Sequence, residues 1–247
     1  MVFSTWVDHL CFAYDLVEAL RPKIIVELGV YNGLSFFTFC QSMMENGIDG
    51  VAYGVDCWEG DEHTDAYDDS IYNDVSEHAR AYYRGMTYLM RMYFNEALQH
   101  FEEDSVDLLH IDGLHTYDAV SEDFSNWYPK VKPGGVILFH DVMARIKDFG
   151  AWKFFDELEQ QHEDIFKFNH GFGLGVLRKP GGERSSNQLL ELLFSKDPET
   201  ERLLRQIYVH SSLFLESRRQ AEQVRAARKG KKMGGTGKPQ ASGANQG

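Results

Sequence analysis

The chain has 247 residues, of which 43% are hydrophobic and 17 are Phe, enough for a sizeable core in one domain with additions. Its net charge of −13 is uneven: residues 217–247 hold eight Lys/Arg and one Glu, so residues 1–216 carry −20. An acidic body excludes broad nucleic-acid binding, which needs a positive surface to displace counterions from phosphates.

The three cysteines, Cys11, Cys40 and Cys57, form no CxxC pair. That usage predicts a reducing compartment without a disulfide framework or a zinc ribbon. No apolar run reaches the ~20 residues a membrane span needs. The opening "MVFSTWVDHL" lacks a basic region followed by an apolar core, so no signal peptide is expected. Together these predict a cytoplasmic protein with no membrane span.

In chain order, "STWVDHLCFAYDLVEALRP" reads as a helix from an N-cap near Ser4 to Pro22. "KIIVELG" is a buried strand that ends in an acid and a glycine. "LSFFTFCQSMMENG" is a helix closed by Gly47. "VAYGVD" is a second strand and "TYLMRMYF" a weaker third. "NEALQHFEEDS" forms a helix and turn, "VDLLHID" a buried strand. A helix over "TYDAVSEDFSNWY" is broken at Pro129, and a Lys-Pro-Gly-Gly turn leads to the strand "VILFHD". After the helix "WKFFDELEQQ", the segments "IFKFNH" and "GLGVLRK" form a closing antiparallel hairpin around "GFG". Short apolar strands alternating with helices predict an α/β, doubly wound, mostly parallel sheet covered on both faces. Residues 1–180 form this domain. Residues 181–216 form a helical extension, able to pack on the core, to make a homodimer or to serve as a linker. Residues 217–247 form a basic, solvated tail with little to bury.

Ligands of open α/β sheets sit beyond the carboxyl ends of the strands. Four places qualify. "ELGVYNG" offers Gly29 and Gly33 for a tight turn, without the GxGxxG or Lys-Ser/Thr of nucleotide motifs. Asp56 ends strand two, where a carboxylate either accepts ribose hydroxyls or caps the strand. Asp112 with His115, and His140 with Asp141, end two adjacent strands. Two acids and two histidines at one edge suit a divalent metal, with a histidine as general base. The long acidic loop "CWEGDEHTDAYDDSIYNDV" contributes Trp58, His63 and Tyr67, which suit a polar, ring-shaped substrate.

The segments "VELGVYNG", "GVDCWEGDEHTDAY", "VDLLHIDGLHTYDAVSEDFSNWYPKVKPGGVILFHDV" and "GFGLGVL" resemble class I S-adenosylmethionine-dependent methyltransferases, and within them methyltransferase family 24. The resemblance spans roughly Lys23 to Lys179 and is strongest from Asp104 to Val142. It implies a Rossmann-like, seven-stranded fold. It also implies that Glu27, Gly29 and Gly33 form the cofactor loop, with Glu27 near the methionine amino group. Asp56 would hold the ribose, and Phe94 and Asn95 would lie by the adenine. Asp112 would lie beside the methyl donor, and His115 would be the general base. Asp112, Asp141 and His140 would be the ligands of any Mg2+. Metal-dependent relatives carry an acid where His140 stands, and Tyr31 replaces a common loop glycine.

The expected activity is O-methylation of a sugar hydroxyl on a glycan or glycosylated intermediate. Members of that subgroup are frequently found with, or fused to, glycosyltransferases, which implies such a partner. Two other readings stand beside it: a nicotinamide-dependent oxidoreductase, and a non-catalytic scaffold that keeps the cofactor fold and positions a glycosyltransferase.

Overall fold

A computed structural model describes residues 5–60, 68–182 and 186–233, with side chains described through Arg225. His63, Tyr67 and the proposed cap Ser4 lie outside the described residues. Five parallel strands are β1 (Ile24–Leu28), β2 (Val51–Asp56), β3 (Thr87–Arg91), β4 (Val106–Ile111) and β5 (Val131–His140). An antiparallel hairpin of β6 (Ile165–Phe168) and β7 (Leu174–Arg178) completes the sheet through β7 on β5. The order is β3-β2-β1-β4-β5-β7-β6. The doubly wound α/β architecture expected from the sequence is therefore present. The order reverses between β1 and β4, which opens a crevice at their carboxyl ends.

Both sheet faces are apolar because successive side chains alternate between them. One face carries Ile25, Ala52, Leu108 and Leu138. It packs under α1 (Leu10–Leu20), α2 (Leu34–Glu45) and α3 (Asp69–Tyr82). The other carries Val26, Val55, Leu109 and Ile137. It packs under α4 (Phe94–Ala97), α5 (Tyr117–Trp127) and α6 (Ala151–Gln161). Two C-terminal helices, α7 (Gln188–Leu193) and α8 (Pro198–Met233), add Leu190, Leu193, Leu204 and Tyr208 to the first face.

Four expectations change. The N-terminal helix begins as a 3-10 turn, Thr5–His9, which drives Trp6 and His9 into the core. The acidic segment through Val75 is not all loop: Asp69 onward is helical, with Asp68 capping Ser70 N–H. The Lys-Pro-Gly-Gly stretch lies inside β5, where the ladder with β4 shifts register between Val106 and Leu108. Residues 217–233 are not an irregular tail, because α8 runs unbroken from Pro198 to Met233.

Candidate functional site

The turn after β1 is shaped by two glycines. Gly29 has φ +90°, and a Cβ there would lie 2.0 Å from the Asp112 carbonyl oxygen. Only glycine allows the β1 and β4 tips to approach this closely. Gly33 has φ +80° at the start of α2, where a Cβ would strike the Phe37 ring. Asp56 ties this turn to β2. Its Oδ2 accepts the N–H groups of Val30 and Tyr31 at 2.9 and 2.8 Å, and its Oδ1 accepts that of Trp58 at 2.7 Å. The strand-end acid thus braces the loop, in addition to any role toward a ribose.

Below the turn lies a buried polar chain. Glu27 and His110 are register partners on β1 and β4, both fully buried. The Trp6 indole donates to His110 Nε2 at 3.3 Å, so the imidazole hydrogen sits on Nδ1, which donates to Glu27 Oε1 at 2.9 Å. Ser35 donates its hydroxyl to the same Glu27 oxygen. Burial raises the Glu27 pKa, and the His110 and Ser35 contacts oppose the rise. Glu27 therefore lies fully buried beneath the turn, with Oε1 engaged and Oε2 without a hydrogen-bond partner.

Four residues converge at the tips of β4 and β5. His140 Nδ1 donates to Asp112 Oδ1 at 3.0 Å and lies 3.4 Å from Asp141 Oδ1. Burial pushes the His140 pKa down, but the adjacent Asp112 and Asp141 outweigh it and hold the pKa above the ordinary value. The same contact acts on Asp112: burial opposes its charge, while His140, His110 and His115 hold its pKa well below the usual carboxylate range. His115 Nε2 lies 3.2 Å from Asp141 Oδ2 and 4.0 Å from Asp112 Oδ1, and its ring packs on Phe149. Asp141 has φ 59°, a left-handed conformation rare outside glycine. That backbone brings its carboxylate to His115. His115 keeps 17% side-chain exposure and Asp112 16%, so both meet the crevice, whereas His140 and Asp141 are buried behind them.

Other expected residues are placed differently. Trp58 is 1% exposed and donates its indole N–H to the Tyr31 carbonyl, so it belongs to the core and not to a substrate wall. Asn95 is drawn onto α5, donating to Glu122 and accepting from Asn126, each at 2.9 Å. Phe94 covers Gly113 at the β4 tip, where a Cβ would lie 2.5 Å from its ring.

The acid–histidine set does not fit a magnesium ion. Mg2+ takes hard oxygen ligands at octahedral spacing. Here His140 Nδ1 already occupies Asp112 Oδ1 at 3.0 Å, and a ring nitrogen stands where a hard oxygen ligand is needed. A second convergence, of Glu27, His110 and Asp112, brings donor atoms within 4.8 Å. Both His110 nitrogens and Glu27 Oε1 are engaged by Trp6, Ser35 and the Glu27–His110 bond, which leaves Glu27 Oε2 buried without a hydrogen-bond partner.

His110, Trp6, His9 and Ser35 were not marked by the motif reading. His9 closes the floor beside His140, with ring centroids 5.9 Å apart, and burial with the nearby His140 lowers its pKa.

Residues 26–142 match a family described as a methyltransferase domain. The chain is 44% identical over 172 residues to an uncharacterized protein of Sinorhizobium fredii. That match covers 69% of this chain and 19% of the relative, so the chain spans about a fifth of that protein's length. Solved structures share the fold at low identity. A putative caffeoyl-CoA O-methyltransferase from Staphylococcus aureus has TM-score 0.55 at 14% identity, covering 69% of this chain and 82% of its own. An SAH-bound Podospora anserina methyltransferase has 0.54 at 16%, covering 70% and 78%. The O-methyltransferase TomG from Streptomyces achromogenes, in complex with SAM, has 0.53 at 14%, covering 73% and 82%. The fold is the Rossmann-like methyltransferase fold.

Proposed function

We propose that this chain is an S-adenosylmethionine-dependent O-methyltransferase with His115 as general base. The observation that carries the reading is the convergence of ionised Asp112 and the His115–Asp141 pair on a turn that only glycine at position 29 permits. S-Adenosylmethionine, when bound, supplies a methyl group on a sulfonium cation. The residues suit that cation: Asp112 is held ionised at the crevice, and the Gly29 turn leaves room for close backbone approach. Asp56 is the group for the ribose hydroxyls, and Phe94 offers an apolar face beside Gly113.

The acceptor is an alcohol, and we assign it to a sugar hydroxyl of a glycan or glycosylated intermediate. A hydroxyl is a weak nucleophile until a base removes its proton as it attacks. His115 takes that proton, and Asp141 orients the ring and stabilises the imidazolium that forms. With the cofactor bound, the acceptor oxygen would take the methyl carbon as the carbon–sulfur bond gives up its electron pair to the sulfonium, and His115 would hold the proton released. Holding the three atoms in line is the main demand on the protein. The polar sugar acceptor follows from the resemblance to the glycosyltransferase-associated subgroup, and a glycosyltransferase is the partner this reading implies.

Labelled methyl transfer to glycan acceptors of varied structure, with wild type and His115→Ala, tests the reading. Label on an acceptor oxygen, lost in the variant, supports it. Wild-type rates in the variant contradict the base assignment. Cofactor binding with no transfer to any acceptor favours a scaffold instead.

A further inference from the structure

Helix α8 has two unlike sides. Its inner side buries Leu204, Tyr208 and Ser212 against the domain, and Tyr208 donates its hydroxyl to Asp15 at 3.0 Å. Beyond Glu216, every described side chain through Arg225 is exposed. On the outer side, Leu203, Ile207, Phe214, Ala221 and Val224 are exposed, Ile207 at 53% and Phe214 at 63%. Ile207, Phe214 and Ala221 are spaced by seven, and Leu203 adds the preceding turn. At about 100° per residue, these four fall within about 40° of one another around the helix. An apolar stripe at heptad spacing along an exposed helix is the pattern of a helix–helix seam.

We infer that a second copy of this chain covers this stripe, with two α8 helices pairing antiparallel about Phe214. The spacing fits a two-fold contact. Ile207 and Ala221 lie seven residues on either side of Phe214, so antiparallel pairing sets Phe214 against itself and Ile207 toward the partner's Ala221. A two-fold interface requires such a self-complementary surface. Charge selects the same orientation. Residues 217–247 carry +7 and residues 1–216 carry −20. Antiparallel pairing places the two basic helix ends at opposite ends of the paired helices, where like charges are kept apart. Parallel pairing would set the two basic ends side by side.

Sedimentation or light scattering of the full chain reads the outcome. Wild type is expected at about twice the 28.4 kDa chain mass. Phe214→Glu and Ile207→Glu are expected at the mass of one chain, with unchanged helix content by circular dichroism because neither side chain packs against its own domain. Orientation is read by oxidative crosslinking. Phe214→Cys should join to itself. Leu203→Cys should not, because antiparallel pairing separates the two sites by about 33 Å at 1.5 Å per residue. A monomeric wild type at tens of micromolar, a dimer that survives both Glu variants, or equal crosslinking at 203 and 214 would overturn the inference.

Discussion

His115 Nε2 and Asp141 Oδ2 lie 3.2 Å apart, joining the loop after β4 to the tip of β5. The pair gives the base a fixed orientation and a counter-charge. His115→Ala should lower turnover about 10²–10⁴-fold, the usual worth of a positioned base. The wild-type rate should fall on the acid side as the histidine protonates, and that limb should vanish in the variant. Asp141→Asn should keep the limb but reduce the rate. Initial rates of methyl transfer across pH check all three.

Asp56 accepts three backbone N–H groups, two from the turn after β1 and one from Trp58, two residues past the end of β2. Hydrogen bonds to a charged group are worth about 1.5–3 kcal/mol each, and the loss of several is rarely additive. Asp56→Ala should therefore cost roughly 2–4 kcal/mol in urea unfolding, with weakened cofactor binding in the same variant. Unaltered stability would show that the turn holds itself.

Gly29→Ala combines φ +90° with a Cβ 2.0 Å from a backbone oxygen. Strain and overpacking each cost about 1–3 kcal/mol. The variant should lose roughly 2–5 kcal/mol of stability, read by denaturant midpoint at constant slope.

Asp123 on α5 is 9% exposed, and burial with the neighbouring Glu122 pushes its pKa up to about 7 from 3.8. The folded state thus holds this proton in a window where the unfolded chain has released it. Stability should fall as pH rises from about 4 to about 7, and this contribution should level off above. Asp123→Asn should remove that slope and raise stability at pH 8 by roughly 2–4 kcal/mol. Thermal unfolding across pH measures both.

The strands were legible because a parallel sheet buried on both faces leaves continuous apolar runs such as "KIIVELG" and "VDLLHID". The strand-end acids were legible by the same rule, since Asp112, His115, His140 and Asp141 do meet at one edge. The helix α3 was hidden because only Val75 and Ala79 of its 14 residues are buried, and its acidic composition reads as loop. His110 was hidden inside an apolar run. Its signal was Glu27, the matching polar residue on the neighbouring strand, which only the register reveals. Trp58 misled because a tryptophan in an acidic loop looks solvent-facing, whereas its indole bonds the Tyr31 carbonyl and its ring meets Tyr72. The continuity of α8 past residue 216 was hidden by a change from apolar to basic composition that alters solvation and not helix propensity.

Thermal unfolding with S-adenosylhomocysteine, against NAD, reads which cofactor the crevice binds. At about a hundred times its dissociation constant, S-adenosylhomocysteine should add roughly 2.7 kcal/mol of stability, and NAD should add nothing. Stabilisation by NAD alone, or by neither ligand, would contradict the methyltransferase account.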